Sequence, residues 1–490
     1  MKICETVMAT TMAELRARRD HARDADLVEL RLDSLAPAEL DVARAVAGRR
    51  CPVVATCRPT WEGGQFAGAE EDRLRVLKEA VTCGAEYVDV EWRADWRRVA
   101  SAALDASAPP GSGKIVLSYH DFEGVPADLA DRVRAMRATG APMIKVAVTA
   151  TRLRDCLRLR DAMGTGDAHI AIAMGAAGRL TRVLPHFRSR WTYAGSVAAG
   201  QFSAAELRHR YRVHETTAST PVFGIAGAPL AHSASPAMHN SAFAASRIDA
   251  VYAPFETTDA DELIEVAGAL GVEGLSITAP LKASLLTRCH ADDDSRAIGA
   301  VNTLRREASG WAGRNFDAAA FLEPLERHGG LTPDGRARVL GAGGAARAAA
   351  GALATRGMDP VVSARRYSSA AALAQALGVD VAPWPPTGRW DLIVNATPVG
   401  TWPHAGETPI DPAQVMSATA YDLVYNPRET RWLSLARALG AVTIGGLEML
   451  VAQACRQFEW WTGQPADRPA FEHAALEFLD EVKGLWSVPS

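Results

Sequence analysis

Met143-Ile144-Lys145-Val146-Ala147-Val148 reads as a β-strand with a lysine in its middle. Strand side chains alternate between faces, so Ile144, Val146 and Val148 share one apolar face while Lys145 shares the other with Met143 and Ala147. An ammonium turned toward an interior is disfavoured by desolvation, and a neutral amine is a nucleophile. A lysine on a solvated edge strand would read the same way. Lysine is scarce here, however: Lys2, Lys78, Lys114, Lys145, Lys282 and Lys483 are the six among 53 basic residues. Arginine, which sheds no proton near neutral pH, fills the other basic positions. Lysines kept inside apolar strands are therefore the first places to look for chemistry.

Working outward, this run is one of eight strand-like segments in the first half: 2–8, 27–33, 52–58, 87–92, 114–120, 142–148, 169–174 and 191–195. Arg- and Ala-rich helical stretches separate them. Alternating strand and helix implies parallel strands with right-handed crossovers, and eight such units predict a closed (β/α)8 TIM barrel, with an open doubly wound sheet as the alternative. In a barrel the chemistry sits at the C-terminal ends of the strands. Polar residues gather there. Glu29, Arg31 and Asp33 alternate with Val28, Leu30 and Leu32; Thr56-Cys57-Arg58 precedes Glu62-Gly63-Gly64; Ser118-Tyr119-His120-Asp121 ends the fifth run; Gly178-Arg179-Leu180 follows the seventh. Each alone is weak, since a lone histidine is usually structural and Glu-Gly-Gly is usually a turn. Their convergence on one barrel mouth, with Lys145, gives them weight.

The bulk properties narrow the class. A chain of 490 residues exceeds one core, so two or three domains are expected. A net charge of −4 and no long basic run leave no electrostatic footprint for nucleic acid. Seven dispersed cysteines without a C-x-x-C pair imply reduced thiols, and no metal site is visible. The N-terminus runs directly into a strand, and no apolar run would span a bilayer, so a cytoplasmic protein with small-molecule substrates and no membrane partner is expected.

The first half resembles type I 3-dehydroquinate dehydratase through Glu29-Leu30-Arg31-Leu32-Asp33, Arg58 with Glu62-Gly63-Gly64, His120-Asp121-Phe122, Lys145 and Gly200-Gln201. The resemblance implies that Lys145 forms an imine with a ring ketone and that His120 is the general acid–base, oriented by Glu62. It also implies that Arg179 grips the substrate carboxylate, with Glu29, Arg31, Arg58 and Gln201 lining the pocket. The family places a serine four residues before the loop glutamine; here Val197 stands there and Ser196 precedes it.

A small-polar stretch, His214 to Pro221, reads as a linker. Beyond it, Arg338-Val339-Leu340 runs into Gly341-Ala342-Gly343-Gly344-Ala345, which opens an alanine-rich helix, and Val361-Val362-Ser363 forms the next strand. A strand, glycine turn and helix present backbone N–H groups to a pyrophosphate. Arg365 and Arg366 follow, where an NAD enzyme keeps an acid for the ribose hydroxyls, so NADP is preferred. Upstream lie the hydroxyl-rich loop Ser233-Ala234-Ser235-Pro236, a second unusual lysine in Thr278-Ala279-Pro280-Leu281-Lys282, then Asn302 and Asp317. A Lys–Asp pair is often only a surface salt bridge; in a cleft it can donate a proton to a developing alkoxide.

These segments resemble shikimate dehydrogenase, as do Asn395-Ala396-Thr397-Pro398-Val399-Gly400, Tyr421 to Tyr425, and Gly446 to Gln453. The resemblance implies Lys282 and Asp317 as the catalytic pair, with Ser233, Ser235, Thr278, Asn302, Tyr425 and Gln453 on the substrate. Gly341 to Ala345, Arg365, Arg366, Asn395 and Thr397 would lie along NADP. Two departures stand out: Ala364-Arg365-Arg366 replaces a common Asn-Arg-Thr, and Phe316 replaces a common threonine.

Together the two resemblances imply an N-terminal TIM barrel (1–213), then a two-lobed shikimate dehydrogenase-like α/β unit: a substrate lobe (220–330 with 447–490) and a Rossmann lobe (331–446). They imply a bifunctional enzyme of the shikimate pathway that dehydrates 3-dehydroquinate and reduces the product, 3-dehydroshikimate, to shikimate with NADPH. The alternatives are a dehydrogenase half that prefers quinate, disfavoured by Ser235 and Thr278, or a half kept only as a metabolite-binding module, disfavoured by the intact Lys145/His120 and Lys282/Asp317 pairs.

Overall fold

The computed structural model describes residues 1–104, 113–164, 168–195 and 200–486. Ser196 and Val197 lie outside the described residues. The chain divides into two compact units, Met1–Val222 with Asp249–Gly271, and Phe223–Ile248 with Val272–Ser490.

In the first unit the eight expected strands form: β1 (Lys2–Val7), β2 (Leu27–Arg31), β3 (Val53–Thr56), β4 (Tyr87–Glu91), β5 (Lys114–Asp121), β6 (Met143–Thr149), β7 (His169–Met174) and β8 (Trp191–Ala194). They run in parallel in the order β7-β6-β5-β4-β3-β2-β1-β8. The Arg190 N–H just before β8 donates to the His169 carbonyl of β7 at 2.9 Å, bringing the two ends of the sheet together. The barrel interior is layered. Its apolar floor includes Leu27, Val54, Val116, Met143, Ile170 and Trp191, with Tyr87 edge-on to Trp191 at 5.1 Å. Met143 and Ala147, the pleat neighbours of Lys145, belong to this interior cluster, so Lys145 faces inward with them. Strand register places Thr6 beside Glu29, Thr56 beside Asp89 and Ser118 beside Lys145, creating a polar layer near the C-terminal strand ends.

Strands β9 (Val222–Gly227), β10 (Val251–Glu256), β11 (Val272–Ile277), β12 (His290–Ala291), β13 (Thr303–Glu307) and β14 (Gly310–Arg314) make a sheet of order β10-β9-β11-β13-β14-β12. The third sheet is wholly parallel. Its strands are β15 (Arg336–Leu340), β16 (Asp359–Ser363), β17 (Asp380–Val381), β18 (Gly388–Asn395), β19 (Val415–Asp422) and β20 (Val442–Gly445), in the order β17-β16-β15-β18-β19-β20. Strand order reverses between β15 and β18, and ligands of open α/β sheets bind in the crevice at such a point. The glycine turn leaves β15 on one side of it and Asn395 ends β18 on the other. Beneath them Phe321 of helix Asp317–Arg327 stacks on Tyr421 at 5.0 Å, within a core that also takes Val339, Leu353 and Leu392. All seven cysteines are free.

Candidate active sites

Lys145 sits beside a cavity of about 130 Å³ at the barrel mouth, also lined by Glu29, Arg31, Arg58, Glu62, His120, Phe122, Arg182, Tyr193 and Gln201. It is 4% exposed. Its Nζ lies 3.0 Å from Asp89 Oδ2, 3.5 Å from Glu29 Oε1, and 4.2 Å from the centre of the Tyr193 ring. Thr6 and Thr56 hydroxyls donate to the two Glu29 oxygens at 2.9 Å each, so that carboxylate is held from both sides.

His120 Nδ1 meets Glu62 Oε1 at 2.9 Å, and the same oxygen accepts the His120 backbone N–H at 3.0 Å. Glu62 reaches this place because its loop doubles back on Arg58. A Cβ on Gly64 would come within 2.0 Å of the Arg58 carbonyl oxygen, so only glycine allows that approach. Burial pushes the Glu62 carboxyl up to about 7, with Arg58 opposing the shift. Burial, reinforced by the cations Arg58 and Lys145, holds His120 well below its ordinary value, so the imidazole is neutral at neutral pH. A neutral histidine whose Nδ1 is engaged by Glu62 presents Nε2 as a base. Phe122, 54% exposed, stacks nearly parallel to the His120 ring at 6.2 Å.

One sequence expectation changes at this cavity. Arg179 does not line the cavity: its guanidinium lies 4.3 Å above the Phe202 ring. Arg182, one turn later in the same 3₁₀ segment, lines the cavity instead. Arg182 is 2% exposed, and Nη1 reaches only the Tyr193 carbonyl, at 3.3 Å. Among the described residues its Nε has no partner and no carboxylate pairs with it. Burial, and then Arg179, lower its pKa to about 10, so it stays charged at neutral pH and suits an anionic ligand. Arg58 lines the cavity and is braced from behind: its Nη1 donates to Glu91 (2.7 Å) and Ser118 (2.8 Å) and its Nη2 to Asp89 (2.9 Å). Asp89 and Glu91 were not singled out from sequence; both share the inward face of β4 with Tyr87, and that alternation was the available signal. Burial opposes ionisation of Asp89, but Arg58 and Lys145 outweigh it and hold the carboxyl below its usual range.

The second lysine has its own cavity, of about 290 Å³, in the second unit. Ser233, Ser235, Thr278, Lys282, Asn302, Asp317, Tyr425 and Gln453 all line it. Lys282 Nζ is 2.5 Å from Asp317 Oδ2, and Asn302 Nδ2 donates to the other Asp317 oxygen at 2.7 Å. Asn302 is fixed in turn, its Oδ1 accepting from the Phe316 N–H and the Thr303 hydroxyl. Phe316 packs edge-on to Trp460 at 5.8 Å. The side chains of Lys282 and Asp317 are 21% and 7% exposed, so this is a largely buried pair rather than a solvated surface salt bridge.

The glycine turn borders that pair. Gly341 has φ +118°, and a Cβ there would lie 2.8 Å from the Ala396 carbonyl oxygen. A Cβ on Gly343 would meet nothing within 4 Å, and one on Gly344 would meet only Lys282 Cδ, at 3.4 Å. The N-terminus of helix Gly344–Thr355 therefore opens onto space beside Lys282, as a bound pyrophosphate requires. Ala342 and Ala345 complete the turn with small side chains. Arg365 and Arg366 are exposed and form no ion pair among the described residues, which leaves both available to a 2′-phosphate. These residues fit NADP. Asn395 serves the cradle from inside. It is fully buried, donates to the Val399 carbonyl and Asp422, and accepts from the Thr397 N–H and hydroxyl. Asn395 thus shapes the loop around Thr397 from within the core. Burial raises its partner Asp422 to about 6. Among the described residues no cluster could hold a metal ion, and no helix is long and apolar enough to cross a membrane.

Comparison with known proteins agrees with this geometry. The type I 3-dehydroquinase family matches residues 3–218, the shikimate dehydrogenase substrate-binding domain matches 225–304, and the shikimate 5′-dehydrogenase C-terminal domain matches 446–476. The chain is 32% identical to the chloroplastic bifunctional 3-dehydroquinate dehydratase/shikimate dehydrogenase of Arabidopsis thaliana, over 96% of this chain and 83% of that protein. It is 40% identical to the NADP(+) shikimate dehydrogenase of Moorella thermoacetica, over 55% of this chain and 97% of that one. A crystal structure of a shikimate dehydrogenase in complex with NADP+ superposes with a TM-score of 0.51 at 33% identity, covering 54% of this chain and 97% of that one.

Proposed function

The chain belongs to the bifunctional 3-dehydroquinate dehydratase/shikimate dehydrogenase family, and from that premise we propose how its two sites work. It is a shikimate-pathway enzyme that dehydrates 3-dehydroquinate to 3-dehydroshikimate and reduces the latter to shikimate with NADPH. In this reading the barrel spans 1–213, the substrate lobe 220–330 with 447–490 and the NADP lobe 331–446, and the enzyme works in the cytoplasm.

At the barrel site the Lys145 ammonium gives up a proton to Glu29, the carboxylate beside it. The freed amine adds to the ring ketone, and loss of water leaves an iminium, an electron sink that acidifies the adjacent carbon. His120 Nε2 takes that carbon's proton while Glu62 accepts the Nδ1–H. His120 then passes the proton to the departing hydroxyl, which leaves as water, and hydrolysis of the iminium restores Lys145. Arg182 pairs with the substrate carboxylate, and Glu29, Arg31 and Gln201 meet its hydroxyls.

At the second site NADPH, when bound along the glycine turn and the Arg365–Arg366 pair, supplies the reducing equivalent. Lys282 stabilises the oxygen of the ketone and donates its proton there, with Asp317 holding the ammonium in place. Ser233, Ser235, Thr278, Asn302, Tyr425 and Gln453 bind the remaining polar groups of the substrate.

The observation that carries the reading is the pairing, at one cavity, of a buried lysine with a neutral, carboxylate-oriented histidine. Borohydride reduction in the presence of 3-dehydroquinate tests it: the expected result is a stable adduct at Lys145. Active enzyme with Lys145 unmodified would sink the mechanism. Initial rates on shikimate and quinate, each with NADP+ and NAD+, test the second site, with shikimate and NADP+ expected to be fastest.

A further inference from the structure

Behind Lys145 a chain of buried charges runs from the barrel interior to an outer helix. Asp89 Oδ2 accepts from Lys145 Nζ, and Asp89 Oδ1 accepts from Arg58 at 2.9 Å and from the Ser118 hydroxyl at 2.6 Å. Arg58 continues to Glu91 Oε1 at 2.7 Å, and Glu91 Oε2 accepts from Arg73 Nη1 at 2.5 Å. Arg73 belongs to helix Glu70–Thr82, is completely buried, and also donates to the Cys57 carbonyl at 3.0 Å. Its Nε and Nη2 hold Glu70, the half-buried outer end of the chain, at 2.8 and 2.7 Å. Neither Arg73 nor Glu91 lines the cavity. A fold gains little from burying so many charges when apolar residues would pack as well, so their retention calls for a role in geometry.

We propose that Arg73 and Glu91 are positioning residues for the imine-forming lysine: they fix Arg58, and through it the Asp89 carboxylate, so that Lys145 Nζ is held where it can attack. This rests on the reading of Lys145 given above. Arg58 has two carboxylates to satisfy; without Glu91 its guanidinium turns toward Asp89 alone, and the oxygen that aims Nζ shifts. Misplacement of about an ångström at a reacting atom slows chemistry far more than it weakens binding.

The test uses the full chain and three variants, Glu91→Gln, Arg73→Met and Arg73→Lys, with Glu70→Gln as a control at the outer end. Dehydratase kcat and KM are measured with the rate at which borohydride traps 3-dehydroquinate on Lys145, and barrel folding is checked by thermal melting. For Glu91→Gln and Arg73→Met, kcat and trapping rate are expected to fall about tenfold or more with KM within about twofold. Arg73→Lys, which keeps a cation facing Glu91, should recover part of the loss, and Glu70→Gln should match wild type. If either severe variant does not fold, Arg73→Lys decides alone, with a several-fold lower trapping rate at unchanged KM. Folded variants with a lowered melting temperature but wild-type trapping rates would overturn the inference. Failure to trap even the wild-type chain at Lys145 would instead defeat the reading on which it rests.

Discussion

The two lysines at the centres of the two sites make opposite use of the same side chain. Lys145 is 4% exposed, caged by Asp89, Glu29 and the Tyr193 ring, and backed by further ion pairs. The Lys282 side chain is 21% exposed, with one carboxylate among the described residues, Asp317, at 2.5 Å, and a roomier cavity in front of it. A lysine that must form and break a covalent bond needs its nitrogen fixed at the reacting carbon, so two carboxylates and a ring face hold it. One that only stabilises an oxygen and donates a proton needs one partner to aim it and an open side for cofactor and substrate. Chemistry follows the surroundings of the amine rather than the amine itself.

The sharpest way to break this comparison is to delete each lysine. Lys145→Ala should lower dehydratase turnover by roughly 10³-fold or more and leave the dehydrogenase rate near wild type, while Lys282→Ala should do the reverse, losing about 10²- to 10⁴-fold. Separate assays of the two half-reactions read both, and a loss of both activities from one substitution would break the comparison. Next in size is the arginine pair of the barrel. Arg182→Ala should cost dehydratase kcat/KM about 10- to 100-fold, the worth of a charge-assisted bond, whereas Arg179→Ala should change it by less than about threefold. The cofactor arginines come third: Arg365→Ala with Arg366→Ala should raise KM for NADPH about tenfold and leave KM for NADH nearly unchanged.

The smallest effect is a pH dependence confined to the barrel. Glu62 must be ionised to accept the His120 Nδ1–H, and burial sets its pKa at about 7. Dehydratase kcat/KM should therefore rise as pH increases through about 7, and Glu62→Gln should flatten that limb at a lower rate. Stability runs the other way. The folded state holds the Glu62 proton more tightly than the unfolded chain, whose ordinary value is 4.5, so this group's contribution is full below about 4.5 and is lost as pH rises through about 7. A melting temperature that falls more for wild type than for Glu62→Gln between pH 5 and pH 8 would check the sign.

Much of this was legible before any coordinates. The eight barrel strands lie where alternating apolar runs predict them, because a strand buried on both faces has no other way to be written in sequence. His120, Glu62, Lys282 and Asp317 occupy strand ends, loops or a helix start that local pattern exposes. Arg179 and Arg182 were another matter. They bracket one 3₁₀ segment, and only the fold sets Phe202 beneath the first and the cavity before the second. Asn395 read as a residue along the cofactor, yet it spends its side-chain atoms on neighbours, among them Asp422, 27 positions away.

Sequence alone therefore determined which residue types stand at the ends of which strands, and so the two chemistries this chain can host. Periodicity is a local property, and strand, turn and helix start are local decisions. Tertiary structure decided which charges face a ligand and which face one another. That choice depends on desolvation and on partners brought together from distant segments: among the described residues Arg182 is left without a counter-ion beside a cavity, while Arg58 is satisfied between Asp89 and Glu91.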